Sequence, residues 1–173
     1  MKSGYLVLAV AAFAMAACTA REDEARTVDA SGKEERAVRD VPGEVLAAAL
    51  AARPDLSIEA VEYETRDGNE YYDVGGTLPD GSELEIDMTL IDGVWTPVEF
   101  QRDIGFDLLP RDVGNLLSEK FSGWQPDRII ESDQGDGTII YEFFGKDDAG
   151  EATKIEIKWS EQQAELLLDE WVH

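Results

Sequence analysis

Along residues 57–102 apolar and polar side chains alternate with period two, and Asp67-Gly68, Asp80-Gly81 and Asp92-Gly93 interrupt the alternation. Period two buries one face of a strand and leaves the other wet. Asp-Gly supplies the positive φ that a two-residue hairpin needs. The pattern predicts four antiparallel strands, over 57–65, 70–78, 83–90 and 94–102. Ahead of them Val45, Ala48, Ala49 and Ala52 recur at helical spacing, widened by Leu46 and Leu50. Pro42 suits a first turn and Glu44 complements the positive end of a helix, so a helix is predicted over 41–53.

The same order recurs further on. With Gly76 set on Gly145, Gly81 falls on Gly150, Ile86 on Ile155, Met88 on Ile157 and Leu90 on Trp159, while Asp73-Val74 falls on Glu142-Phe143. Leu109-Pro110 matches Val41-Pro42, and Val113, Leu116, Leu117 and Phe121 form a second helical stripe. Strands are predicted over 127–132, 138–144 and 152–159. Residues 160–173 read two ways. Ser160-Glu161-Gln162-Gln163 has the form of a helix capping box, whereas register with 94–102 favours a strand. The expected architecture is α+β: two tandem repeats, 41–102 and 103–173, each a helix followed by a four-stranded antiparallel meander. They are expected to form one compact domain with the helices packed on one side of the sheet.

The N-terminus departs from this pattern. Lys2 precedes an unbroken apolar run over 5–17, short for a membrane span and suited to an export signal. Met15-Ala16-Ala17-Cys18 resembles a bacterial lipobox, with Cys18 as the lipidated residue. The alternative is an ordinary signal cleaved after Ala16 or Ala20. Thr19, where aspartate would retain a lipoprotein at the inner membrane, points to the outer membrane. Residues 1–17 are thus expected to be a signal peptide, and 18–40 a charged tether of about 25 Å mean reach. The protein is expected to be exported and held at the periplasmic face of the cell envelope. Cys18 is the only cysteine, so the domain must stand on its core without a disulfide.

The chain has 173 residues and a formal net charge of -23, with 38 acidic side chains. That balance argues against nucleic acid and against docking on anionic lipid. It leaves solubility, a basic partner or divalent cations as its uses. His173 is the only histidine and ends the chain, which excludes zinc sites and histidine-dependent triads. The run 133–137 has some features of a calcium loop, but Gly135 breaks the ligand spacing and a hairpin turn is expected instead. No catalytic, cofactor or metal residues are expected. Among the tryptophans, Trp159 takes a core position, while Trp95 beside a turn and Trp171 near the end are the candidates for partner binding.

Tyr72-Asp73-Val74 and Tyr141-Glu142-Phe143, each followed by a glycine turn and an alternating strand, carry a family resemblance. With 81–87 and Asp92-Gly93-Val94, they resemble the PepSY and PepSY-like domains of bacterial envelope proteins. Tandem copies of the unit also resemble the beta-lactamase inhibitor protein fold, although this chain lacks the disulfides of those inhibitors. The resemblance implies an envelope lipoprotein that binds or restrains a peptidase. The expected function is a non-enzymatic module that binds a protein or peptide in the envelope. The alternative is an acidic structural or cation-buffering surface protein.

Overall fold

Pro42 and Pro110 each hold an extended backbone at the N-cap of a ten-residue helix. A proline here gives up no helical hydrogen bond, since the first N–H groups of a helix have no partner in any case. The computed structural model describes residues 33–66, 68–147, 149–169 and 171. In chain order its elements are β1 (Glu34–Arg36), α1 (Gly43–Ala52), β2 (Ser57–Arg66), β3 (Asn69–Thr77), β4 (Glu83–Ile91) and β5 (Val94–Asp103). Then follow α2 (Arg111–Lys120), β6 (Arg128–Asp133), β7 (Ile139–Lys146), β8 (Ala152–Ser160) and β9 (Gln163–Leu166). Single turns of 3-10 helix at Val38–Asp40 and Phe106–Leu108 lead into the α-helices.

The expected pair of helix-plus-four-strand repeats is corrected by the sheet. Among the described residues all strands form one antiparallel sheet of nine, ordered β1 to β9 without a crossover, and the two helices are minor additions to it. The physical reason lies at the join. Phe100 to Asp103 on β5 pair with Asp133 to Ile130 on β6, so edges that separate units would leave open satisfy each other. A second correction concerns the tether. Glu34, Glu35 and Arg36 pair with Tyr63, Glu62 and Val61 of β2, although nothing in their side chains favours a strand. The backbone groups of the β2 edge supply the driving force.

One face of the sheet is apolar. Val61, Val74, Leu84, Ile86 and Met88 pack with Val45 and Ala49 of α1. Ile129, Tyr141, Phe143 and Ile157 pack with Val113 and Leu117 of α2. Gly76 is required where β3 passes a bulge in β2, because a Cβ there would lie 2.1 Å from the Ser57 carbonyl oxygen. Of the last segment, Gln163–Leu166 form a strand, not a helix. Glu161 (φ 52°) and Gln162 (φ 61°) are both left-handed and close a tight hairpin from β8 to β9. Among the described residues no helix is long and apolar enough to cross a membrane.

Candidate functional site

The other face of the sheet carries a row of carboxylates. Glu62 on β2 lies opposite Asp73 on β3, Asp73 opposite Asp87 on β4, and Asp87 opposite Glu99 on β5. Directly paired side chains stand about 5 Å apart, and like charges so placed repel. In the second half Glu142 on β7 likewise faces Glu156 on β8. Glu62 and Glu142 are only partly buried, but the other four are largely withdrawn from solvent. Asp73 is 4% exposed, Asp87 8%, Glu99 4% and Glu156 7%.

Alternation explains how they come to share a face. Asp73 follows Tyr72 and precedes Val74, both of which point into the α1 core, so its own side chain must turn the other way. Asp87 sits between Ile86 and Met88 on the same logic, and Glu142 between Tyr141 and Phe143. Burial follows from what closes over them. Lys33, just ahead of β1, places its ammonium against Asp73 Oδ2 and 3.6 Å from Glu62 Oε2. Glu85 joins Asp73 and Asp87 in a trio whose carboxylate oxygens lie within 4.8 Å of one another. Gln101 Nε2 donates to Asp87 Oδ2 at 3.4 Å. Ser132 Oγ donates to Glu99 Oε1, which also accepts from Gln134 Nε2 at 2.6 Å.

The second half is neutralised differently. Lys154 on β8 reaches Glu156 Oε1 at 2.8 Å and Glu142 Oε2 at 3.5 Å, so its cation comes from the same hairpin. Trp171 then folds onto this face. Its backbone N–H donates to Glu156 Oε2 at 2.8 Å and its indole N–H to Gln134 Oε1 at 3.0 Å, with the Lys158 ammonium 5.3 Å from its ring. Between the two ends lies a cavity of about 370 Å³ lined by Lys33, Asp73, Asp87, Glu99, Glu142 and Trp171 among others.

The electrostatics follow from burial and crowding. Burial, reinforced by the charges of Asp73, Glu99 and Glu85, pushes the Asp87 carboxyl up to about 9. Burial and then Asp73 raise Glu85, and burial raises Glu142 despite Lys154. Burial alone would lower the Lys33 ammonium, but Asp73, backed by Glu85 and Asp87, lifts it above its ordinary value. A face built this way favours positive charge and holds protons where it cannot find any.

The two candidate partner-binding tryptophans lie on opposite faces. Trp95 on β5 is half-buried against Tyr72, ring centroids 5.1 Å apart, at the margin of the α1 core. Trp171 alone joins the acidic face. Cys18 and His173 lie outside the described residues. In the run 133–137, Asp133 Oδ1 accepts from Gly135 N–H at 2.9 Å and Asp136 Oδ1 from Thr138 N–H at 2.8 Å, as turn carboxylates do. The buried carboxylates were missed because they occupy strand positions assigned to solvent. Their signal was the match of Asp73 to Glu142 and Asp87 to Glu156 across the internal alignment.

No family model matches the chain, and no curated protein matches it. Among solved structures, it is similar to the crystal structure of a DUF2874 family protein from Bacteroides ovatus, at 19% identity and a TM-score of 0.50. The match covers 72% of this chain and 86% of that one. At this identity the likeness speaks to fold alone.

Proposed function

We propose that the chain is a non-enzymatic cell-envelope lipoprotein that binds a basic protein or peptide on the carboxylate-lined face of its sheet. The observation that carries this reading is the row Glu62–Asp73–Asp87–Glu99, one carboxylate on each of four neighbouring strands. Like charges in cross-strand register destabilise a fold, and such departures from local optimality concentrate at functional sites. An extended peptide with cations at alternate positions presents them all on one side, so that they can face the row together. The resemblance to PepSY-like domains makes a peptidase one candidate partner, and the lipobox-like Cys18 would place the module at the membrane.

The test is titration of the full chain with a synthetic peptide alternating lysine and threonine, alongside its glutamate counterpart. The lysine peptide should bind, weaken as salt rises, and lose about tenfold in affinity on Glu62→Gln/Glu99→Gln substitution in that row. Equal binding of both peptides would refute the reading. Calcium binding spread over many weak sites, with no peptide binding, would favour the cation-buffering alternative that the Asp73, Glu85 and Asp87 trio suggests. Mass spectrometry of the mature N-terminus in a bacterial host checks the anchor, with a diacylglyceryl group on Cys18 as the expected result.

A further inference from the structure

The two halves of the acidic face differ at one aligned position. Lys154 on β8, beside Glu156, neutralises the second half, whereas the matching position on β4, beside Asp87, is Glu85. The first half thus has a third carboxylate where the second has a lysine. Its cation comes instead from Lys33, outside the β2–β5 meander, carried there by a three-residue strand. That strand covers only Val61 to Tyr63 of the ten-residue β2. Asp73 Oδ2 is buried, and no hydrogen bond from another described residue reaches it. If the Lys33 ammonium withdraws, that oxygen faces the site bare.

We infer that the β2 edge and the Asp73, Glu85 and Asp87 trio form a strand-addition site for a lysine-bearing extended segment of a partner protein. In this structure β1 and Lys33 are its internal occupant. The inference rests on the proposed function and specifies where and how the partner binds. The chemistry of the occupant is set by what already sits there: an extended backbone paired antiparallel to β2, with an ammonium just ahead of it seated among carboxylates. Strand addition uses main-chain hydrogen bonds for affinity and side-chain pockets for specificity. A pairing of three residues is short enough to open locally, which lets an incoming strand compete.

The experiment uses the full chain and a fluorescein-labelled peptide with the sequence of residues 30–38, read by anisotropy. A Lys33→Met/Glu35→Pro double variant removes the internal ammonium and disfavours pairing of β1. It should bind the peptide at least about tenfold more tightly than the unaltered chain does. A peptide with methionine in place of its lysine should lose about tenfold, and so should a chain that adds Glu85→Lys, which places an ammonium where the second half has Lys154. Hydrogen exchange on β3 and β4, unchanged in the variants, shows that the sheet is intact. Equal peptide affinity for altered and unaltered chains would overturn the inference, as would equal binding of the lysine and methionine peptides. Exchange of β1 between two copies, seen as dimers by sedimentation, would overturn it in favour of self-association. Calcium binding by the double variant without peptide binding would overturn it in favour of a metal. If this peptide fails but the alternating lysine peptide still binds through Glu62 and Glu99, the strand-addition mode fails and the proposed function survives.

Discussion

Replacing Asp87 with asparagine should stabilise the protein above neutral pH, against the usual outcome of altering a buried group. Asp87 is 8% exposed and faces Asp73 on one side and Glu99 on the other. Its carboxyl is held up to about 9, chiefly by burial and then by Asp73. An unfolded aspartate titrates near 3.9. Between about pH 4 and 9 the folded chain therefore binds a proton that the unfolded chain has released, and stability falls as pH rises. The slope is about 1.4 kcal/mol per pH unit for one full proton, or up to about 4 kcal/mol between pH 5 and pH 8. Glu85 and Glu142, also raised, act in the same direction. Lys33, raised above its ordinary value by Asp73, keeps its full contribution throughout, because it is lost only at pH beyond the unfolded lysine value. Asp55 and Asp80, held down by side-chain hydrogen bonds from Arg53 and Ser82, lose their contribution only as pH falls below the ordinary aspartate range. Thermal melts at pH 5 and pH 8 are the assay, each kcal/mol being worth roughly 2–4 °C. The unaltered chain should melt lower at pH 8. Asp87→Asn keeps an oxygen for the Gln101 amide, so it should raise the pH 8 melting point and flatten the difference. A variant less stable than its parent at pH 8, or a parent whose melting point is level or rises from pH 5 to pH 8, would refute the electrostatic account.

Gly76→Ala should destabilise by about 1–3 kcal/mol or more, because the new Cβ meets the Ser57 carbonyl carbon as well as its oxygen; urea denaturation measures it. Gln162→Gly should stabilise by about 1 kcal/mol by relieving a left-handed residue in the β8–β9 turn, seen as a higher urea midpoint at unchanged slope. Phe143→Ala, which opens a hole beneath α2, should cost about 3–5 kcal/mol in the same assay.

Local chemistry was legible where it was local. Asp92-Gly93 turns the chain with φ values of 50° and 80°, as an Asp-Gly pair should. Glu161-Gln162 makes the same kind of turn without a glycine, and its capping-box spelling favoured a helix. The decision lay in the pairing of Trp159 with Ala164 rather than in the turn residues. The join of β5 to β6 has no local signal at all, since 24 residues separate Asp103 from Arg128 along the numbering. β1 is charged throughout and is a strand only because β2 offers an edge. The site was hidden by a correct inference carried one step too far. Alternation identifies which face Asp73, Asp87 and Glu142 point to, but a face without a helix is not thereby in water.

The asymmetry between Glu85 and Lys154 determines how the two halves of that face should behave. Glu142 and Glu156 meet a lysine fixed on their own hairpin, and releasing it would require melting β8, which pairs along its length with β7. Asp73 and Glu62 depend on a lysine held through three residue pairs at the sheet edge. Local opening free energies scale with the packing that opening disrupts, so β1 should exchange its amides faster than β8 by orders of magnitude. Salt should widen that gap, because it weakens the ion pair that helps to hold β1, whereas β8 is held by pairing along its length with β7. Hydrogen exchange at low and high salt reads both effects in one chain. Protection of β1 equal to that of β8, unchanged by salt, would mean that Lys33 is a fixed part of the fold and not a displaceable occupant.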